Sequence, residues 1–227
     1  MGAIPTPCLC LVTDGRFWQP DPRELERKVD LALQGGVDLV QLREKDLAGG
    51  TLLEVARGLR RVTQGRALLF VNERVDVAVA CGADGVQLGE EGLPVEAARR
   101  AAGPGMLVGR SVHTVEGAVT AEGEGADLLL VGAVFPTQSH AGARPAGTGL
   151  LAEAAGRVKI PLAGIGGITA ANVGEVMEAG ATGAAVIRAV LGAEDPRRAA
   201  QELRNAMDEA VEAVKARPVS GAGRGAR

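Results

Sequence analysis

The feature that most constrains this chain is a serial alternation. Short apolar runs rich in Val, Leu and Ile alternate with longer Ala-, Arg- and Glu-rich segments of helical period, from one end of the sequence to the other. The spacing predicts strands at 8–13, 39–42, 67–71, 85–88, 107–111, 128–133, 161–165 and 184–187. Between them it predicts helices at 22–34, 51–64, 74–81, 94–101, 114–124, 150–157, 169–179 and 195–216. The strand candidates are continuously apolar, as in a parallel sheet whose outer face is covered by helices. Eight βα units in 227 residues is the measure of a closed α/β barrel. The expected fold is therefore a (β/α)8 TIM barrel, one domain over residues 1–217, with an open doubly wound sheet as the competing arrangement. Residues 218–227 carry Gly, Ala, Arg and Pro without period and are expected to form a flexible C-terminal tail.

Local punctuation agrees with this register. Asp21-Pro22 and Asp195-Pro196 each offer an N-cap followed by Pro at the first helical position. Gly82-Ala83-Asp84 and Gly125-Ala126-Asp127 repeat one joint between helix and strand, with variants at Gly35-Gly36-Val37-Asp38 and Gly180-Ala181-Thr182-Gly183.

Composition excludes several classes of function. Aromatics are 2% of the chain and the formal net charge is -3, so neither base-stacking platforms nor a phosphate-backbone surface is expected, and nucleic acid is not a partner. No apolar window reaches membrane-spanning length and the N-terminus lacks a charged start before an apolar stretch, which predicts a cytoplasmic protein without membrane contact. Cys8, Cys10 and Cys81 are odd in number and unpaired in spacing, so reduced thiols are expected rather than a disulfide or zinc site.

In a parallel barrel, chemistry collects where strands end, and the strand ends here are rich in functional groups. Gly166-Gly167 after the seventh strand, with Ile187-Arg188 after the eighth, places backbone N–H groups where an anion such as phosphate binds, although a tight packing turn gives the same pattern. Gln41, Arg43 and Lys45 alternate along one strand end and so should share a face suited to a second anion, or else make rim ion pairs with Glu44 or Glu73. Ser111 and His113 share a face in the same way, and an imidazole there is a candidate for proton transfer or a helix cap. His140 lies in the Pro-, Gly-, Ser- and Thr-rich stretch 135–149, long enough to be a lid or simply an exposed loop.

Taken in order, Gln41-Leu42-Arg43-Glu44-Lys45, Asn72-Glu73-Arg74-Val75-Asp76, Ala83-Asp84-Gly85-Val86-Gln87-Leu88-Gly89, Gly109-Arg110-Ser111-Val112-His113, Gly132-Ala133-Val134-Phe135-Pro136-Thr137 and Gly164-Ile165-Gly166-Gly167-Ile168 resemble the thiamine phosphate synthases and their thiazole tautomerase relatives. The resemblance runs from about Cys8 to Val190 and implies a (β/α)8 barrel. It implies one of two activities. A synthase joins an aminopyrimidine pyrophosphate to a thiazole phosphate, releasing pyrophosphate with magnesium, whereas a tautomerase moves a proton on a carboxylated thiazole phosphate without metal.

The synthase pattern implies an Asn-Asp pair, an acid after the fourth strand, a His in that strand and a Thr-x-Thr-Lys run. This chain has Asn72-Glu73, Gly92, Gln87 and Thr137-Gln138-Ser139-His140 at those positions. Magnesium wants hard oxygen ligands, and these departures take carboxylates from it. The expectation is therefore a tautomerase-like isomerase without cofactor, in which His113 moves the proton and Gly166, Gly167, Ile187 and Arg188 hold phosphate. Gln41, Arg43, Lys45, Asn72, Gln87, Ser111, Thr137, Ser139 and His140 would line the substrate. A magnesium-dependent synthase, with Glu90 or Glu91 as substitute acid, and a non-catalytic phosphate-ligand-binding paralogue are the alternatives; a homo-oligomer is compatible with either activity. The resemblance places Ser where Arg188 stands.

Overall fold

The computed structural model describes residues 3–137 and 145–216. Eight parallel strands close into a barrel in sequence order, each paired with its neighbours and the last with the first. They are β1 (Cys8–Val12), β2 (Leu39–Leu42), β3 (Leu68–Asn72), β4 (Gly85–Leu88), β5 (Leu107–Val112), β6 (Leu128–Gly132), β7 (Leu162–Ile165) and β8 (Gly183–Val186). The helices are α1 (Pro22–Gln34), α2 (Gly49–Thr63), α3 (Val75–Cys81), α4 (Val95–Ala102), α5 (Val115–Gly123), α6 (Gly147–Ala155), α7 (Val173–Glu178), α8 (Arg188–Leu191) and α9 (Pro196–Ala216). The closed sheet excludes the doubly wound alternative. The C-terminal tail expected at 218–227 lies outside the described residues.

Alternation along the strands sorts two cores. Cys8, Cys10 and Val12 point inward with Leu39, Phe70, Leu128, Leu130, Ala163 and Ala185 to fill the barrel. Leu9 and Leu11 point outward into the larger layer between sheet and helices. Phe70 is fully buried, and Gly85 on the neighbouring strand leaves room for it, since a Cβ there would stand 2.5 Å from the ring. Burial pushes the Cys8 thiol up to about 12 and raises the Cys10 thiol as well, so both are inert core groups.

The repeated Gly-x-Asp joint has a structural reason that helix ending alone does not supply. Asp38 accepts from Leu9 N, Asp84 from Leu69 N and Asp127 from Val108 N, each at 2.8 Å, and Thr182 Oγ1 accepts from Leu162 N at 2.9 Å. Each side chain thus satisfies a backbone donor of the preceding strand at the N-terminal rim. Arg204, Arg60 and Arg99 pair with the three aspartates from the helices outside. This rim repeats and stabilises; the opposite rim, where the strands end, repeats nothing.

Boundaries moved where side chains intervene. The predicted helix at 169–179 starts only at Val173, because Thr169 N donates to Asn172 Oδ1 and the segment turns first. The short helix α8 and a single 3-10 turn at Gly15–Phe17 were not anticipated.

Candidate active site

The C-terminal mouth of the barrel holds a cavity of about 490 Å³. Its floor and one wall come from the exits of β6, β7 and β8, and Arg43, His113 and Arg188 reach it from the rim. Its described lining contains no Asp or Glu. Neither the Arg43 nor the Arg188 guanidinium has an ion-pair or side-chain hydrogen-bond partner among the described residues, so the cavity is biased towards anions.

Gly166 and Gly167 carry φ of 101° and 65°, in the left-handed region that favours glycine. They also pack closely. A Cβ on Gly166 would stand 2.8 Å from that of Ala133, and one on Gly167 would stand 2.5 Å from Pro136 O. Ile187 and Arg188 border the same cavity at the start of α8. All four residues expected to hold phosphate therefore meet around one space.

The opposite arc, from β2 to β5, is built from side chains. Gln41, only 3% exposed, donates from Nε2 to Asn72 Oδ1 at 2.9 Å, and its own Oε1 is buried without a partner. Gln87 donates to Ser111 Oγ at 3.1 Å. Room for Gln87 comes from Gly109 on β5, where a Cβ would fall 2.0 Å from Gln87 Oε1. These groups form a polar layer over the apolar barrel filling.

Lys45 does not join them. The strand ends at Leu42, and Lys45 is exposed in the turn beyond, away from the cavity that Arg43 lines. The cause is Glu44, which turns inward to accept from Thr13 Oγ1 at 2.5 Å and Trp18 Nε1 at 3.1 Å. Glu44 therefore forms no rim ion pair. Thr13 Oγ1 accepts in turn from Arg43 N, which fixes where Arg43 leaves the strand.

His113 borders the cavity with Nδ1 2.7 Å from Glu90 Oε2, while Glu90 Oε1 accepts the His113 backbone N–H at 3.2 Å. Thr137 also lines the cavity; Ser139 and His140 lie outside the described residues. Sequence reasoning missed the Glu90 clamp, the buried Glu44 and a contact between Glu73 and the turn at 89–92. Glu73 has φ of 62°, and its Oε1 accepts from Gly89 N at 2.5 Å. A Cβ on Gly92 would stand 2.6 Å from Glu73 Oε2, so the empty position 92 is filled by this carboxylate.

A closed parallel barrel with an acid-free cationic cavity beside the β7 and β8 exits has its opening where (β/α)8 barrels commonly place a phosphate site. Comparison with known proteins narrows this. The family model described as thiamine monophosphate synthase matches residues 9–190, and the chain belongs to that family of thiamine-biosynthesis enzymes. It is 43% identical over 204 residues to a thiamine-phosphate synthase of Pyrococcus abyssi, covering 89% of this chain and 96% of the relative. A thiamine-phosphate synthase of Methanoculleus marisnigri is 50% identical over 177 residues, 77% of this chain and 84% of that one. Among solved structures, a thiamine phosphate pyrophosphorylase from Pyrococcus furiosus superposes with a TM-score of 0.82 at 43% identity, covering 90% of this chain and 96% of that one.

These relatives overturn the expected thiazole tautomerase. That expectation rested on the departures at Glu73, Gln87, Gly92 and the 137–140 run and on the likeness of Val86-Gln87-Leu88 and Gly109–His113 to tautomerases, with Glu73 and Gly92 counted as two separate losses. The geometry makes them one rearrangement, in which the longer side chain at 73 occupies the place vacated at 92. The same geometry bears on the magnesium that the family implies. Among the described residues no three His, Cys, Asp or Glu groups gather around a common point. Magnesium is commonly held by one or two carboxylates, with substrate phosphates and water completing its shell. Glu73 suits that arrangement, because a hard-oxygen donor lies in the cradle that Gly92 leaves open and its Oε2 has no hydrogen-bond partner among the described residues.

Proposed function

We propose that this chain is a thiamine-phosphate synthase, joining an aminopyrimidine pyrophosphate to a thiazole phosphate with release of pyrophosphate. The observation that carries the reading is Gln41 Oε1, a buried acceptor without a donor. Leaving such a group unpaired costs about 1–3 kcal/mol, which a ligand N–H would offset. An aminopyrimidine offers that donor at its exocyclic amine; a thiazole phosphate does not. The other substrate finds its complement in the glycine arc, where Gly166, Gly167, Ile187 and Arg188 would hold its phosphate.

The two arcs then divide the work. Gln41 and Asn72 orient the pyrimidine, while Gln87 and Ser111 line the floor beside it. Arg43 supplies positive charge to a substrate pair that is anionic at both ends. As the pyrophosphate departs it gathers negative charge, and fixed cations stabilise that charge more than they stabilise the ground state. Glu73 would hold magnesium, which when bound supplies further positive charge to the leaving group.

The test is direct. Purified protein given both substrates and magnesium is expected to form thiamine phosphate and pyrophosphate in equal amounts at enzymatic rates. Absence of both products, with the folded state verified, would reject the reading.

A further inference from the structure

The hydrogen bond between Gln87 and Ser111 has a direction, and the packing around it fixes that direction. Gln87 is 1% exposed, and the pairing of β4 with β5 sets it beside Gly109. A Cβ on Gly109 would fall on Gln87 Oε1, so the inward C–H of Gly109 points at that oxygen. A C–H can face a carbonyl oxygen but offers nothing to an amide N–H. Nε2 is therefore the atom turned to Ser111 Oγ, 3.1 Å away. An amide N–H only donates, so the Ser111 hydroxyl accepts and its own proton is left for another partner. No acceptor among the described residues takes that proton. Ser111 is half-buried near the end of β5, and His113 two residues on borders the cavity, so the unused donor stands at the barrel mouth.

We propose that Gln87 is a positioning residue for the reaction: by occupying the Ser111 oxygen, it commits the hydroxyl to act as a donor to an anionic oxygen of the substrate's pyrophosphate. The inference rests on the synthase reading and deepens it. Without the amide, the hydroxyl rotates freely and has to be ordered by the substrate itself. With it, the donor is set before the substrate arrives. The pyrophosphate gains negative charge as it departs, so a preset donor acts more on the transition state than on the bound substrate. Its loss should therefore fall on kcat rather than on KM. Gly109 belongs to the same device, because it alone makes room for the amide oxygen that keeps Nε2 facing Ser111.

The test is a double-mutant cycle on the full-length protein, in steady-state kinetics with magnesium, saturating thiazole phosphate and the aminopyrimidine pyrophosphate varied. Ser111→Ala removes the donor and should lower kcat about 10- to 100-fold, with KM changed less than about threefold. Gln87→Met keeps the length of the side chain and loses the N–H, and should lower kcat about 5- to 10-fold with the same small change in KM. In the double variant Gln87→Met, Ser111→Ala, the change at 87 should add nothing, so that kcat lies within about twofold of Ser111→Ala alone. Gly109→Ala reaches the amide from the other side, by driving its oxygen away, and should likewise lower kcat in the wild type and be silent over Ser111→Ala.

A merely structural role for Gln87 predicts otherwise: its effect would multiply with that of Ser111→Ala, and it would follow the melting temperature. Either that result or a normal kcat in Gln87→Met overturns the proposal. Should Gln87→Met fail to fold, by circular dichroism, the Gly109→Ala cycle decides in the same way. Thiamine phosphate formation by the wild type separates the two levels. Product with independent effects at 87 and 111 sinks this inference alone, while absence of product sinks the synthase reading and this inference with it.

Discussion

The two arcs of the barrel mouth are made of different material. On the β7–β8 side, the surface is backbone: two positive-φ glycines, a strand end and the start of a short helix. On the β2–β5 side it is side chains that reach across strands, Gln41 to Asn72, Gln87 to Ser111, Glu73 to the turn at 89–92. The first arc is fixed by chain conformation and can change only by distortion. The second is fixed by reciprocal contacts, so substitutions at two positions can compensate each other. The departures from the synthase pattern at Glu73, Gln87 and Gly92 lie in the second arc, and Arg188 shows how the first accommodates change, by varying a side chain while keeping its backbone.

The largest effect should therefore come from the backbone arc. Gly167→Val forces a β-branched residue to φ near 65° and drives its Cβ against Pro136 O and Phe135. The expected loss of kcat/KM for the thiazole phosphate is on the order of 10²-fold or more. Steady-state kinetics with that substrate varied would show it, and a variant with near-normal KM would mean that phosphate does not approach this backbone.

Next comes the side-chain arc, where function and stability should separate. Gln41→Leu removes an acceptor that is unsatisfied in the free protein, along with one hydrogen bond to Asn72. The two losses oppose each other, so the melting temperature should change little while kcat/KM for the aminopyrimidine pyrophosphate falls about 10- to 100-fold. If stability and activity fall together, Gln41 is a packing residue and the contrast between the arcs weakens.

This contrast also accounts for what the sequence disclosed. Gly166-Gly167 was legible because a residue type answers to a backbone requirement in place. The barrel was legible because its units repeat, down to the aspartates at 38, 84 and 127. Lys45 was misplaced because the strand ends one residue after Gln41, where Glu44 turns in to partners 31 and 26 residues away. No local periodicity contains that. Glu73 and Gly92 misled most, since a glycine that makes room for a distant carboxylate looks in sequence like a residue lost.

A smaller effect is expected at the Glu90 clamp. The His113 and Glu90 side chains are 53% and 43% exposed, so their pairing adds little to stability. Its contribution is to hold the imidazole at the cavity edge with Nδ1 committed. Glu90→Ala should leave the melting temperature nearly unchanged and lower kcat/KM by a few-fold, whereas His113→Gln, which can still donate, should behave alike. A hundredfold loss in either variant would promote the pair from positioning to the reacting atoms.

The smallest effect concerns pH, and it sharpens the comparison because only the side-chain arc and its supports can titrate. Burial pushes the Glu44 carboxyl above the usual range, and the hydrogen bonds from Thr13 and Trp18 offset this only in part. The folded protein therefore retains a proton at Glu44 that the unfolded chain, with its ordinary value of about 4.3, has already released. By linkage, Glu44's contribution favours folding at the acid end of that interval and declines as pH rises through the folded value. Asp14 acts in the opposite sense: its hydrogen bond to Arg16 lowers its value, so its contribution is present above the unfolded value and lost as pH falls. Glu44→Gln keeps an oxygen for Thr13 and Trp18 and removes only the titration. The melting temperature of the variant minus that of the wild type should rise as pH climbs from about 4.3, the ordinary unfolded value, towards neutrality. A difference flat across that range would show that Glu44 ionises alike in both states, and that the strand exit next to Arg43 is held by its hydrogen bonds alone.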